Sequence, residues 1–237
     1  MTDQGNQNEN YHFKLAAIQM LGLFMEKLNP RDIQDDDVNL MWNTMLNNIT
    51  PENIELTQIV SKAIARLAPA TVKNFQNPDQ QQKIMEGIFS LLMINDDDVL
   101  RQTLECLIDI IRINYVYMGQ YLEKFNQIWE AFFDNQTNEK IAEFSIEIWN
   151  TLFEGELDNM ETQNPLRIIY NSDWKAIAIK LLGGLTKTNM QEDGQGLDEE
   201  NENSISLKCQ IGLGNLAPIV RNDLFEFQFG HVQELLG

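Results

Sequence analysis

Apolar residues recur along this chain at helical spacing, in stripes that polar or acidic turns separate. Four stripes begin near Tyr11, Asn53, Asp97 and Asn138, at intervals of 42, 44 and 41 residues. A second helical segment accompanies each stripe, and the two segments are expected to pack as a hairpin. The pattern therefore predicts one helical hairpin that is used repeatedly along the chain.

This period is typical of a known structural class. Units of about 40 to 47 residues with two helices each are found in HEAT and armadillo repeats, which stack side by side into a solenoid. We predict an all-α fold, an α-solenoid in which about four to five antiparallel HEAT helix pairs form a right-handed superhelical stack. Because solenoids leave extended surfaces free, binding rather than catalysis is expected.

The domain organisation follows from the same pattern. We expect 1–10 to be a disordered leader and 11–237 to be a single HEAT-repeat solenoid. Within the solenoid, we expect 189–204 to be an exposed acidic, mobile loop, because this segment is rich in acidic residues and glycine and lacks an apolar period. Another repeat is expected to open at 224–236. Helices are predicted at 11–28, 38–49, 54–67, 79–93, 99–115, 117–133, 140–153, 172–187 and 204–221.

Charge narrows the choice of partners. The chain carries 36 acidic and 17 basic residues and a formal net charge of −19. Phosphate backbones and anionic lipid are repelled by such a charge, whereas a basic polypeptide is attracted. We therefore expect protein partners, no nucleic acid and no membrane insertion.

No catalytic or metal-binding pattern stands out. Cys106 and Cys209 lack the CxxC spacing, and His12 and His231 are far apart without a cluster of acidic or cysteine residues around them. We expect no catalytic residues, no metal and no cofactor, and hence no enzyme. The polar residues 1–10 and the lack of an 18-residue apolar run favour a soluble protein in a reducing, intracellular compartment.

One stretch resembles a known family. Residues 96–149 contain a tyrosine-rich elbow, Asn114-Tyr115-Val116-Tyr117-Met118, and a helix that ends Ile146-Glu147-Ile148-Trp149. Both features align without gaps with the N-terminal-half HEAT repeats of importin-β, the karyopherin-β nuclear transport receptor. The similarity extends to 18–48 and to the late acidic loop, so it covers most of the chain.

The resemblance implies a receptor for protein import into the nucleus, found in cytoplasm, nucleus and the nuclear envelope at the pore. In the family, phenylalanine-glycine repeats of nucleoporins enter apolar pockets between neighbouring outer helices. Lys83 stands where the family favours an aromatic residue, so one pocket is expected to be reshaped. The same apolar residues could instead be plain core. The positions that match family pockets are Met41, Trp42, Met45, Ile84 and Met85, and, in a second pocket, Tyr121 and Trp129.

The resemblance also assigns a role to the acidic loop. In the family, such a loop contacts the Ran GTPase and the basic importin-β-binding helix of the adaptor importin-α. A solvated insertion without a partner is the alternative. The matching residues are Glu192, Asp193, Asp198, Glu199, Glu200 and Glu202.

Two functions remain open at this point. The first is a transport module that binds nucleoporins and basic transport partners or cargo, with Ran binding weakened because family repeats are missing on both sides of this chain. The second is a short or truncated importin-β paralogue that serves as a structural adaptor subunit of a larger assembly, without Ran-driven transport. Uncapped end repeats also predict possible self-association.

Overall fold

A computed structural model of the chain describes residues 3–29, 32–50, 52–134, 138–162, 165–189 and 205–221. Helices dominate these residues, and they fall into two units, Met1–Asn114 and Tyr115–Gly237. The boundary lies inside the predicted tyrosine-rich elbow. Each unit has its own set of internal contacts.

The first unit is a two-layer stack of helices. One layer holds α1 (Asp3–Lys27), α3 (Ile54–Leu67) and α5 (Asp97–Asn114), and α3 packs against both of the others. The second layer holds α2 (Asp35–Leu46) and α4 (Pro78–Leu91), which contact each other and pack on α3 and α5 respectively. The predicted hairpins α2–α3 and α4–α5 are thus present.

Polar side chains at the turns both cap the helices and connect successive repeats. The Asn53 side chain accepts a hydrogen bond from the Leu56 N–H at 3.1 Å, and the Tyr11 hydroxyl donates to the same side chain at 3.2 Å. Asp96 caps α5 by accepting from the Val99 N–H at 2.9 Å. Such caps satisfy N–H groups that the helix itself leaves unpaired, which explains why the stripes begin at these residues.

The second unit begins with an irregular outer segment. A 3₁₀ helix, Tyr115–Tyr121, leads into the short α6 (Leu122–Trp129), and a π-helical turn, Glu130–Asp134, ends it. A regular helix was predicted over 117–133. It is broken because the chain must turn at the elbow while Met118, Phe125 and Phe133 all stay buried.

The remaining helices of this unit form a small bundle. They are α7 (Glu139–Met160), α8 (Trp174–Asn189) and α9 (Ile205–Val220). The last of them packs against both α7 and α8, and α6 packs on α7. The third predicted hairpin, α6–α7, is therefore also present, and α8 and α9, which were predicted as separate helices, pack against each other.

Two helix ends differ from the prediction. The first helix begins at Asp3, inside the segment 1–10 that was predicted to be disordered. The helix extends into this segment because, once a helix is nucleated, each further residue adds a hydrogen bond. The seventh helix continues past 153 to Met160. Its extension passes through Gly155, where a β-carbon would collide with the Tyr115 ring, so only glycine allows this close packing.

A buried carboxylate holds the connection after α7 in place. Glu156, 1% exposed, accepts hydrogen bonds from the Tyr115 hydroxyl and from the N–H groups of Ile169 and Tyr170, the last two at 3.0 and 3.2 Å. Burial, followed by this hydrogen bond, raises the pKa of Tyr115 above its ordinary value. The loop that the sequence shows only as polar is thereby fixed to the helix bundle.

Candidate functional site

A groove runs between α2 and α4 on the outer layer of the first unit. Its volume is about 220 Å³. That is below the range of about 300 to 1,000 Å³ typical of small-molecule sites, so the groove suits one side chain of a peptide better than a cofactor. The residues that line it are Asn39, Trp42, Asn43, Leu46, Gln80, Lys83 and Ile84.

Two contacts set the shape of this groove. The Asn74 side-chain amide donates to Asn39 Oδ1 at 2.7 Å and to Gln80 Oε1 at 3.2 Å, so it ties α2 to α4 at one end. Further along, the two helices approach so closely that a β-carbon at Gly87 would collide with the Leu46 side chain. The groove therefore lies between a polar tie and a tight helix contact.

Trp42 beside the groove carries a buried hydrogen-bond donor. The residue is 2% exposed, yet it lines the groove. Its indole N–H has no hydrogen-bond partner among the described residues. A buried donor without an acceptor costs about 1 to 3 kcal/mol.

The first predicted pocket is only partly open. Trp42 and Ile84 line the groove but are each only 2% exposed, and Met45 and Met85, at 0% and 1%, belong to the core and do not line it. Met41 is half-buried and does not line the groove. Apart from the reshaping at Lys83, the sequence did not predict the polar and basic residues of the lining, which are Asn39, Asn43, Gln80 and Lys83. The sequence pattern that could have indicated them is their recurrence beside core positions on α2 and α4.

The second predicted pocket is mostly filled by the protein itself. Trp129 is 1% exposed, and its ring lies 4.7 Å from that of Phe133, centroid to centroid. Tyr121 stays half-buried at the end of the 3₁₀ helix. The side chains that were predicted to line a second pocket therefore mainly pack against other side chains of the protein.

The predicted acidic loop lies outside the described residues, and a different acidic row is found on α7. Glu139, Glu143 and Glu147 follow one another at four-residue spacing and so share one helix face. Lys208 of α9 lies 3.4 Å from Glu147. Burial raises the pKa of Glu143; Lys208 opposes the shift, and the neighbouring carboxylates add to it. This face, missed in the sequence, is suited to a basic segment.

Metal binding and membrane crossing find no support in the described ranges. They hold no group of three or more His, Cys, Asp or Glu side chains placed to bind a metal ion. Among their helices, none combines the length and apolar content that a bilayer span requires.

Helix pairs stacked in two layers, with a groove between outer helices, define an α-solenoid of HEAT repeats, a class of binding scaffold. No model of a known protein family matches the chain. It is similar to importin subunit beta-1 of Arabidopsis thaliana, 23% identical over 235 residues that cover 94% of the chain and 26% of the relative. Importin subunit beta-1 of Saccharomyces cerevisiae is 22% identical over 240 residues, which cover 96% of the chain and 27% of the relative.

Solved structures agree with this similarity. The Kap95:Nup1 complex matches with a TM-score of 0.72 and 22% identity, over 93% of this chain and 26% of that one. A structure of Kap95p with RanGDP matches with a TM-score of 0.70 and 21% identity, over 93% of this chain and 25% of that one. Kap95p is yeast importin-β. The chain is thus an importin-β-like HEAT-repeat solenoid that spans about a quarter of the length of its relatives, 26 to 27%.

Proposed function

We propose that this chain is a non-enzymatic scaffold that binds phenylalanine-glycine repeats of nucleoporins in the groove between α2 and α4, and so takes part in protein import into the nucleus. The observation that carries the proposal is the groove itself, which is bounded by neighbouring outer helices and lined by Trp42, Leu46 and Ile84. The match to a Kap95:Nup1 complex supports the same kind of partner. Its place of action would be the cytoplasm, the nucleus and the pore.

The lining suits a phenylalanine ring with its backbone. Trp42, Leu46 and Ile84 offer apolar contact, and about 25 cal/mol is gained for each Å² of apolar surface that leaves water. The ammonium of exposed Lys83 can lie over an aromatic face, an interaction of about 0.5 to 1 kcal/mol at such sites. The departure from the family at Lys83 therefore does not close the groove to an aromatic ligand.

The test is a binding titration with a fluorescent FxFG-repeat peptide. Asn43→Trp would fill the groove from an exposed lining position, whereas Thr44→Trp places the same side chain on the next exposed residue, outside the lining. We expect the first variant to bind at least about tenfold more weakly and the second to bind like the wild type. Met45→Asp would be a poor probe because Met45 is fully buried. The proposal fails if the wild type does not bind, or if Asn43→Trp binds equally well.

We further propose that basic transport partners, such as an importin-α-type helix or basic cargo, bind the acidic face of α7. The row Glu139, Glu143 and Glu147 supports this, and the nearby Lys140 and Lys208 offset part of its charge. Ran is a further candidate, since a related structure contains RanGDP. Replacing the three glutamates by glutamine should weaken binding of a Lys/Arg-rich peptide and flatten its salt dependence. Unchanged affinity and salt dependence would exclude this face.

Self-association remains a separate proposal. The face of α1 away from α3 carries Phe13, Met20 and Phe24, which are 74%, 70% and 56% exposed. A contiguous apolar face of this kind favours association with a second copy. Sedimentation velocity should show dimers at high concentration and monomers for Phe24→Glu; a wild type that stays monomeric throughout would contradict the proposal.

We keep as the alternative proposal a structural adaptor subunit of a larger assembly, without Ran-driven transport. Native-size analysis from cells separates the two. A stable stoichiometric complex supports the adaptor, and a freely exchanging monomer supports the transport module.

A further inference from the structure

The second unit contains a pocket whose exposed lining residues include two arginines. Its volume is about 240 Å³, and it lies where the C-terminal ends of α7 and α9 meet the loop at 165–170. Met160 and Ile219 supply apolar walls, and Glu156 and Tyr170 lie beside them. Arg167 and Arg221, both exposed, complete the lining.

These two arginines differ from the others that the structure describes. Arg101 lies 3.2 Å from Glu105, Arg112 lies 2.7 Å from Asp109, and Arg66 has a partner of its own. Among the described residues, by contrast, neither Arg167 nor Arg221 has a side-chain hydrogen bond or an ion pair; the first only lies over the Tyr170 ring, 5.4 Å from its centroid. In a chain of net charge −19, two guanidinium groups at one pocket that form no ion pair with a described residue call for an explanation.

The backbone of both residues is unusual. Arg167 has φ 54° and Arg221 has φ 48°, and they are the non-glycine residues with positive φ in the described part of the chain. A side chain with a β-carbon is disfavoured in this left-handed region, where glycine or asparagine is common. Disfavoured backbone conformations of this kind cluster at ligand clamps.

Two features of the pocket could explain the arginines without a ligand. The carboxylate of Glu156 lies in the lining, but three donors already satisfy it. The C-terminal ends of α7 and α9 also favour positive charge, because their last carbonyl groups are unpaired. The left-handed backbone of Arg221 also has a local cause, because its N–H donates to the Ala217 carbonyl at 2.8 Å where α9 ends. Each of these alternatives predicts an empty pocket.

We propose that this pocket binds a carboxylate side chain of an acidic polypeptide partner, held by the Arg167 and Arg221 guanidinium groups. Their planar, fork-like arrangement of N–H donors matches a carboxylate in two parallel hydrogen bonds. Met160 and Ile219 would contact an apolar residue next to the acidic one. A free inorganic anion fits less well, since it cannot use the apolar walls.

Fluorescence polarisation with the full chain tests the proposal. The probe is a labelled hexapeptide with one glutamate between two leucines, and its matched control carries glutamine in place of the glutamate. We expect the glutamate peptide to bind at least about tenfold more tightly, and Arg167→Gln or Arg221→Gln each to remove about tenfold of that affinity. Arg112→Gln, with the same loss of charge at an exposed and paired site, should bind like the wild type.

A glycine variant separates recognition from structure. Arg221→Gly keeps the left-handed backbone without strain, so it should raise the melting temperature while it removes binding. The proposal is overturned if the two peptides bind equally, if Arg221→Gly binds like the wild type, or if inorganic phosphate at the peptide concentration displaces the probe completely.

Discussion

Replacing Glu156 by glutamine tests how much one buried carboxylate stabilises the second unit. The carboxylate accepts from the Ile169 N–H through Oε2 and from the Tyr170 N–H through Oε1, with the Tyr115 hydroxyl also on Oε2. A glutamine amide has one acceptor oxygen, so in either orientation its NH₂ faces one of the two backbone N–H groups. At least one donor at this buried site then loses its acceptor, which costs about 1 to 3 kcal/mol.

We therefore expect Glu156→Gln to lower the free energy of unfolding by about 2 kcal/mol. For a chain of this size that corresponds to a fall in melting temperature of about 4 to 8 °C, measured by calorimetry or circular dichroism. Asp158→Asn on the same helix removes an equal charge at an exposed position and should stay within about 0.5 kcal/mol of the wild type.

A double-mutant cycle sharpens the interpretation. Tyr115→Phe removes the hydroxyl donor while it leaves the ring, so its effect should be smaller when position 156 is already glutamine. If Glu156→Gln unfolds at the same temperature as Asp158→Asn, or if the two substitutions are strictly additive, the carboxylate does not act through these hydrogen bonds.

Three further predictions concern single sites. Burial raises the pKa of Glu143, so the charged form of this residue destabilises the fold at pH values above that pKa. This loss of stability disappears below the pKa of the unfolded state, about 4.3. Glu143→Gln should therefore raise the melting temperature at pH 7 and leave it unchanged near pH 3 to 4. A gain at both pH values would contradict this. Burial raises the pKa of Cys209 to about 12 and raises that of Cys106 even more. A thiol reagent at pH 8 should therefore modify neither cysteine until denaturant is added. Rapid labelling of the native chain would refute this prediction. Gly155→Ala should destabilise by about 1 to 3 kcal/mol through collision with the Tyr115 ring, as urea titration would show; a stabilised variant would mean that the ring can move aside.

Local signals in the sequence were enough for the helix pairs. The apolar stripes and the residues Asn53, Asp96 and Asn138 predicted hairpins at the right places, because a cap and a helical stripe act within one or two turns of the chain. The same signals failed at 117–133 and beyond 153. There the course of the backbone depends on Tyr115, Gly155 and Glu156, whose partners belong to other segments.

The candidate sites were less accessible to sequence reasoning. An apolar residue at helical spacing can face the core of its own repeat or a pocket beside the next one, and the spacing is the same in both cases. Only the packing of α2 against α4 decided that Met45 and Met85 are core while Trp42 lines the groove.

By itself, then, the sequence determined the repeating hairpin, the acidic charge and the resemblance to importin-β, since these depend on composition and on order within short segments. The tertiary structure decided which side chains remain available to a partner. Arg167 and Arg221 are far apart in the sequence and share one pocket only because α7, α9 and the loop between α7 and α8 meet there. Whether a side chain is exposed depends on the residues that surround it in space. Repeats with similar sequence patterns can therefore bury different residues.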